Sequence, residues 1–144
     1  MENLPNILVG RRIVLVDDDP QVIGVFMPAL KKVTQNNAWA VLYNGQDITQ
    51  IRDEILAHTP DIVLMDYSLG SRDMHGDAIV RDMLQHGTEF KQPIMFIGFS
   101  MFEERHKEFK NAGAQAFVGK NVLDVHGTIR QIAHEVELLS IGEK

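Results

Sequence analysis

The chain has 144 residues, 44% apolar and 24% charged, with a formal net charge of -6 at pH 7. This suits one globular domain with a sizeable core, and an acidic balance without a lysine or arginine cluster argues against a nucleic-acid surface. The absence of cysteine excludes disulfide and thiolate chemistry; with no signal peptide evident and no run of the roughly 18 apolar residues a membrane span needs, a cytoplasmic location is expected.

Strand-like and helix-like segments alternate five times. The first strand, Arg12–Val16, is followed by Asp17, Asp18 and Asp19, with Asp19 as N-cap and Pro20 in the first turn of a helix. Gly24 and Pro28 fall inside that helix, and an interior proline costs about 3 kcal/mol unless the helix kinks, so a kink is expected near Pro28. Trp39–Tyr43 alternates as an edge strand does, and Ile62–Met65 is a short apolar run closed by Asp66. Ile94–Ile97 forms a fourth strand, and Met101, Phe102 and Phe109 flank the next helix as core residues or, where one is exposed, as a partner surface. Ala116–Val118 is the fifth strand, with Lys120 just beyond it. The last helix shows the clearest period, Val122, Val125, Ile129, Ile132, Val136 and Leu139, interrupted by Gly127. Leu138 and Ile141 lie off that stripe and are candidates for a homodimer contact.

The pattern predicts an α/β fold, (βα)5, with a doubly wound parallel five-stranded sheet. One domain is expected over 1–144, its core at about 11–140, with no output domain. Ligands of such sheets sit at the carboxyl ends of the strands, so three strand ends would bring Asp17, Asp18, Asp66 and Lys120 to one crevice. Carboxylates meeting without a counter-ion repel. Mg²⁺, a hard cation that takes oxygen ligands and keeps several waters, would be held by Asp18 and Asp66, with Lys120 as a point charge for an anionic group. Asp66 is then a nucleophile able to form an aspartyl phosphate. Taken singly, these residues have bland readings: an acidic triplet is an ordinary turn with a helix cap, and an aspartate after a strand is an ordinary turn residue. Their combination on one five-fold repeat favours chemistry. Most of the six histidines are read as surface residues, with His75, in the loop after Asp66, the one able to approach the crevice.

With these motifs in place, the chain resembles the response-regulator receiver domains of two-component signalling, from about Arg12 to the last helix. Residues 13–20, IVLVDDDP, are similar to the family's first strand with its acidic pair Asp17 and Asp18; residues 60–66, PDIVLMD, to its third strand with the phosphoacceptor Asp66. Residues 112–120, AGAQAFVGK, resemble its fifth-strand region with the invariant lysine at Lys120. The resemblance implies a flavodoxin-like sheet of strand order 2-1-3-4-5. It also implies Mg²⁺ held by Asp17 (partly through water), Asp18, Asp66 and the backbone carbonyl of Ser68. The phosphoryl group would come from a sensor histidine kinase or a histidine phosphotransfer protein, and a downstream protein would read it. The chain would catalyse only its own phosphorylation and dephosphorylation and would not otherwise be an enzyme; neither nucleic acid nor membrane is an expected partner.

The departures concern the readout. The family's Thr or Ser at the end of the fourth strand is Gly98 here, with Ser100 two residues late and expected to substitute only if the loop rearranges. Asn121 replaces the proline after the lysine, Phe117 stands at the switch aromatic position, Gly70 replaces a loop proline, and the loop to Gly76 is about two residues longer. Asp66 is therefore expected to accept phosphate but to couple it weakly to shape, and Gly98→Thr to strengthen the response. The alternative is a pseudo-receiver, a binding module working without phosphorylation. A third reading, a Mg²⁺-dependent phosphatase built on Asp17 and Asp19, fails at Gln21, where that class needs Thr or Val.

Overall fold

Strands buried on both faces read as continuous apolar runs, and three of the runs in this chain do so. β1 (Ile13–Asp17), β3 (Ile62–Met65) and β4 (Met95–Ser100) are buried at every residue. The computed structural model describes residues 6–70, 74–87 and 90–142. With β2 (Ala38–Leu42) and β5 (Ala116–Gly119), these strands form one five-stranded parallel sheet in the order β2-β1-β3-β4-β5. The expected fold and strand order are observed, and the alternating strand of Trp39 lies at the edge.

Five helices cover the sheet: α1 (Pro20–Thr34), α2 (Ile48–Leu56), α3 (Gly76–Gln85), α4 (His106–Ala112) and α5 (Val125–Gly142). Because successive strand side chains point to opposite faces, β1 sends Ile13 and Leu15 toward α1 and α5, where Phe26, Leu30, Ile129, Ile132 and Val136 are buried. It sends Val14 and Val16 to the other face, against Ile51, Ile55, Ile79, Val80, Met83 and Phe109 from α2, α3 and α4. Each such fully buried side chain stabilises the fold by about 1.5–3 kcal/mol.

The helix starts show why the chain turns where it does. The Asp19 carboxylate accepts from Gln21 N–H at 2.9 Å, with Pro20 opening α1. Asp47 and Gln50 form a reciprocal capping box on α2. Pro28 lies within one helix of 15 residues and does not end it. At the other end of the chain, α5 begins later than the apolar period suggests. The carboxylate of Asp124 accepts from Gly127 N–H at 2.9 Å and its carbonyl from Thr128 N–H at 3.0 Å. Val122 therefore lies in the preceding turn, and Gly127 sits in the first turn rather than interrupting the helix. Met101 and Phe102 are also not core: they are 57% and 51% exposed, whereas Phe109 is fully buried.

Two strand boundaries matter for chemistry. β1 extends one residue beyond the expected end and includes Asp17. β4 continues through Ser100, three residues beyond Ile97, because it keeps pairing with β5 as far as Ser100 beside Gly119.

Candidate functional site

Asp17 ends β1, Asp66 follows β3, Ser100 ends β4 and Lys120 follows β5. Because the strands are parallel, their carboxyl ends bring these residues to one end of the sheet, around β1 and β3, where the order turns from β2-β1 to β3-β4-β5. The Lys120 ammonium donates to Asp17 Oδ2 at 2.8 Å and to Asp66 Oδ1 at 2.9 Å. All three side chains are buried, with exposures of 5%, 1% and 8%. Asp17 Oδ1 accepts from Asp19 N–H at 3.0 Å, whereas Asp66 Oδ2 has no protein donor among the described residues.

Asp17, Asp18 and Asp66 each present a carboxylate oxygen, all within 4.8 Å of one another. Together with Ser68, Ser100 and Lys120 they line a cavity of about 280 Å³, with Met101 and Phe102 on its rim. Gly70 adjoins it in the left-handed region, φ 73°; a Cβ there would meet Asp18 Oδ2 at 2.9 Å, so only glycine leaves that carboxylate its place. The larger groove of about 580 Å³, between Phe117, Asn121 and Gln131, holds no cluster of three metal-ligating side chains among the described residues. The smaller cavity is the candidate site.

Three carboxylates against one ammonium leave the cavity short of positive charge. Burial pushes Asp66 up to about 6 although Lys120 pulls it down, with Asp17 adding to the rise. Asp18 is raised by burial and then by the Asp17 charge. Burial pulls Lys120 down, but Asp66 and Asp17 together outweigh it and leave it raised, so it stays an ammonium ion. Crowded oxygen donors, with two of the three aspartates holding raised pKa values, are what a hard divalent cation relieves. The residues present fit such an ion.

Gly98 and Phe117 do not line this cavity. A Cβ at Gly98 would run into the ring of Phe109, which fills the space beside it. Gly98→Thr, expected to strengthen a response, would have to displace that ring. Phe117 packs at 6.2 Å from Phe109 and stacks on His106 at 5.3 Å. His75 does not line the cavity either. It stacks on Tyr67 at 4.7 Å, with Arg105 over the same Tyr67 ring at 4.3 Å and Phe109 edge-on at 6.0 Å. Sequence reasoning missed this aromatic column next to Asp66. Its one legible signal was an aromatic residue directly after the aspartate. Among the described residues every peptide bond is trans, including the one after Lys120.

The fold and the site at the end of the sheet define a receiver-type α/β protein of two-component signalling. The family model of the response regulator receiver domain matches residues 13–131, and the chain belongs to that family. Solved structures share the fold at low identity. The receiver domain of the histidine kinase CKI1 from Arabidopsis thaliana, complexed with Mg²⁺, aligns with a TM-score of 0.65 at 22% identity, over 89% of this chain and 95% of that one. The signal receiver domain of a DNA binding response regulator (merR) from Colwellia psychrerythraea 34H aligns at 0.60 and 20%, over 85% and 97%. A curated relative, the nitrogenase molybdenum-iron protein beta chain of Azotobacter vinelandii, is 31% identical over 67 residues. That stretch spans 46% of this chain and 12% of the nitrogenase chain, too little of it to carry an activity across. No described helix is long and apolar enough to cross a membrane.

Proposed function

We propose that this receiver domain accepts a phosphoryl group on Asp66 from a phosphohistidine of a sensor histidine kinase or a histidine phosphotransfer protein, and signals by contact with a downstream protein. The observation that carries this reading is Lys120 held between Asp17 and Asp66 at 2.8 and 2.9 Å inside a cavity of carboxylates. A carboxylate oxygen of Asp66 attacks phosphorus, a P–O bond forms as the P–N bond breaks, and the imidazole nitrogen keeps the electron pair. Lys120, already in the cavity as an ammonium ion, turns from the carboxylate toward a phosphoryl oxygen as the charge of Asp66 is esterified. Positioning and charge neutralisation are most of what this reaction asks of a protein. Mg²⁺, held by Asp17, Asp18, Asp66 and the carbonyl of Ser68, would supply the remaining neutralising charge.

A second reading, a binding module that no longer uses phosphorylation, draws on the filled space beside Gly98. Acetyl phosphate with and without Mg²⁺, read by intact mass, separates the two. A Mg²⁺-dependent gain of one phosphoryl group, absent in Asp66→Asn, is expected. No gain under conditions that label a standard receiver sinks the first reading and favours the second.

A further inference from the structure

We infer that the hydroxyl of Ser100 is the protein's side-chain hydrogen-bond donor to the phosphoryl group on Asp66, in the role that position 98 cannot fill. This rests on the proposed phosphoacceptor reading and adds a residue to it. Three observations carry it.

The first is volume. Any side chain at Gly98 meets the buried Phe109 ring, so neither serine nor threonine fits there while Phe109 keeps its place.

The second is placement. β4 stays regular through Ser100, paired with Gly119, and Lys120 N–H donates to the Ser100 carbonyl at 2.8 Å. This bond ties the serine to the residue whose ammonium grips Asp66. Ser100 is 3% exposed and lines the cavity shared by Asp17, Asp18, Asp66 and Lys120. Since side chains two apart on a strand share a face, the step from 98 to 100 keeps the direction and moves the group one repeat toward the strand's end.

The third is hydrogen-bond inventory. A hydroxyl carries one donor and two acceptor sites. Ser100 Oγ accepts from Phe102 N–H at 3.2 Å, and among the described residues its own proton goes to no acceptor. The backbone bond steadies the oxygen and leaves the proton free for an anion arriving in the cavity. Ser100 thus adds a neutral donor to the cavity that already holds the ammonium of Lys120.

The test is beryllofluoride binding in Mg²⁺, measured by calorimetry on the full chain, on Ser100→Ala and on Ser100→Thr. Mg²⁺ alone is titrated into each, and acetyl phosphate labelling is run in parallel. Removing one hydrogen bond to a charged group is expected to weaken beryllofluoride binding about ten- to hundred-fold in Ser100→Ala, with Mg²⁺ affinity unchanged and binding recovered in Ser100→Thr. If wild type and Ser100→Ala bind beryllofluoride equally, the role of Ser100 is overturned while the phosphoacceptor reading stands. A parallel loss of Mg²⁺ affinity in Ser100→Ala also overturns it, since the serine would then be shaping the site rather than touching the phosphoryl group. A wild-type chain that binds Mg²⁺ but neither takes label nor binds beryllofluoride overturns both.

Discussion

Asp66 gains its last proton at about 6 in the folded chain against an ordinary 3.8, chiefly because it is buried. A fold that holds a proton more tightly than the unfolded chain is favoured by acid: that contribution is complete below about 3.8 and gone once the pH passes about 6. At neutral pH the ionised carboxylate therefore weakens the metal-free fold, by at most about 3 kcal/mol. Asp66→Asn should stabilise the metal-free protein by about 1–3 kcal/mol at neutral pH, and urea melts should show that gain vanishing below the ordinary carboxylate range. The nucleophile follows the same titration. Labelling by acetyl phosphate at subsaturating Mg²⁺ should fall as the pH drops through about 6, because protonated Asp66 can neither attack nor ligate. A flat profile across that window would count against Asp66 as acceptor.

Among elements, the start of α3 packs closely on the end of β3 beside the site. A Cβ on Gly76 would collide with the backbone carbonyl of Asp66 and the side chain of Met65. Gly76→Ala should cost about 1–3 kcal/mol and weaken Mg²⁺ binding by displacing Asp66. Gly24→Ala, in α1 with nothing near it, should gain about 0.5–1 kcal/mol and leave Mg²⁺ binding alone; thermal melts and Mg²⁺ titration of both variants check this. Gly98→Thr should likewise cost about 1–3 kcal/mol by overpacking, and a double-mutant cycle with Phe109→Ala should show most of that cost disappearing. These contacts also mark how far the sequence could be read. Apolar runs closed by Asp17, Asp66 and Lys120 were visible because strand burial and strand-end polarity are local properties. The extension of β4 to Ser100 depends on its partner strand, and the Phe109 ring reaches Gly98 only in three dimensions. Neither leaves a trace in periodicity. Val122 fits the helical period of α5 and still lies outside it, since Asp124 sets where the helix begins.

For the molecule as a whole, a cation that binds only the folded chain raises its stability by mass action, about 2.7 kcal/mol at a hundred times the dissociation constant. Mg²⁺ should raise the melting temperature of the wild type, and much less that of Asp18→Asn, which removes one of the three carboxylates; equal shifts in differential scanning fluorimetry would place the ion elsewhere. The fit of Phe109 against Gly98 also bears on the chain's history. A hydroxyl residue at 98 overpacks against the Phe109 ring, and shrinking 109 first leaves a hole in a core where Phe109 is fully buried. A lineage moving between the two arrangements must cross a less stable intermediate from either side. Close relatives of this chain should therefore exchange residues at 98 and 109 as a pair, glycine travelling with the large ring and threonine or serine with a smaller neighbour.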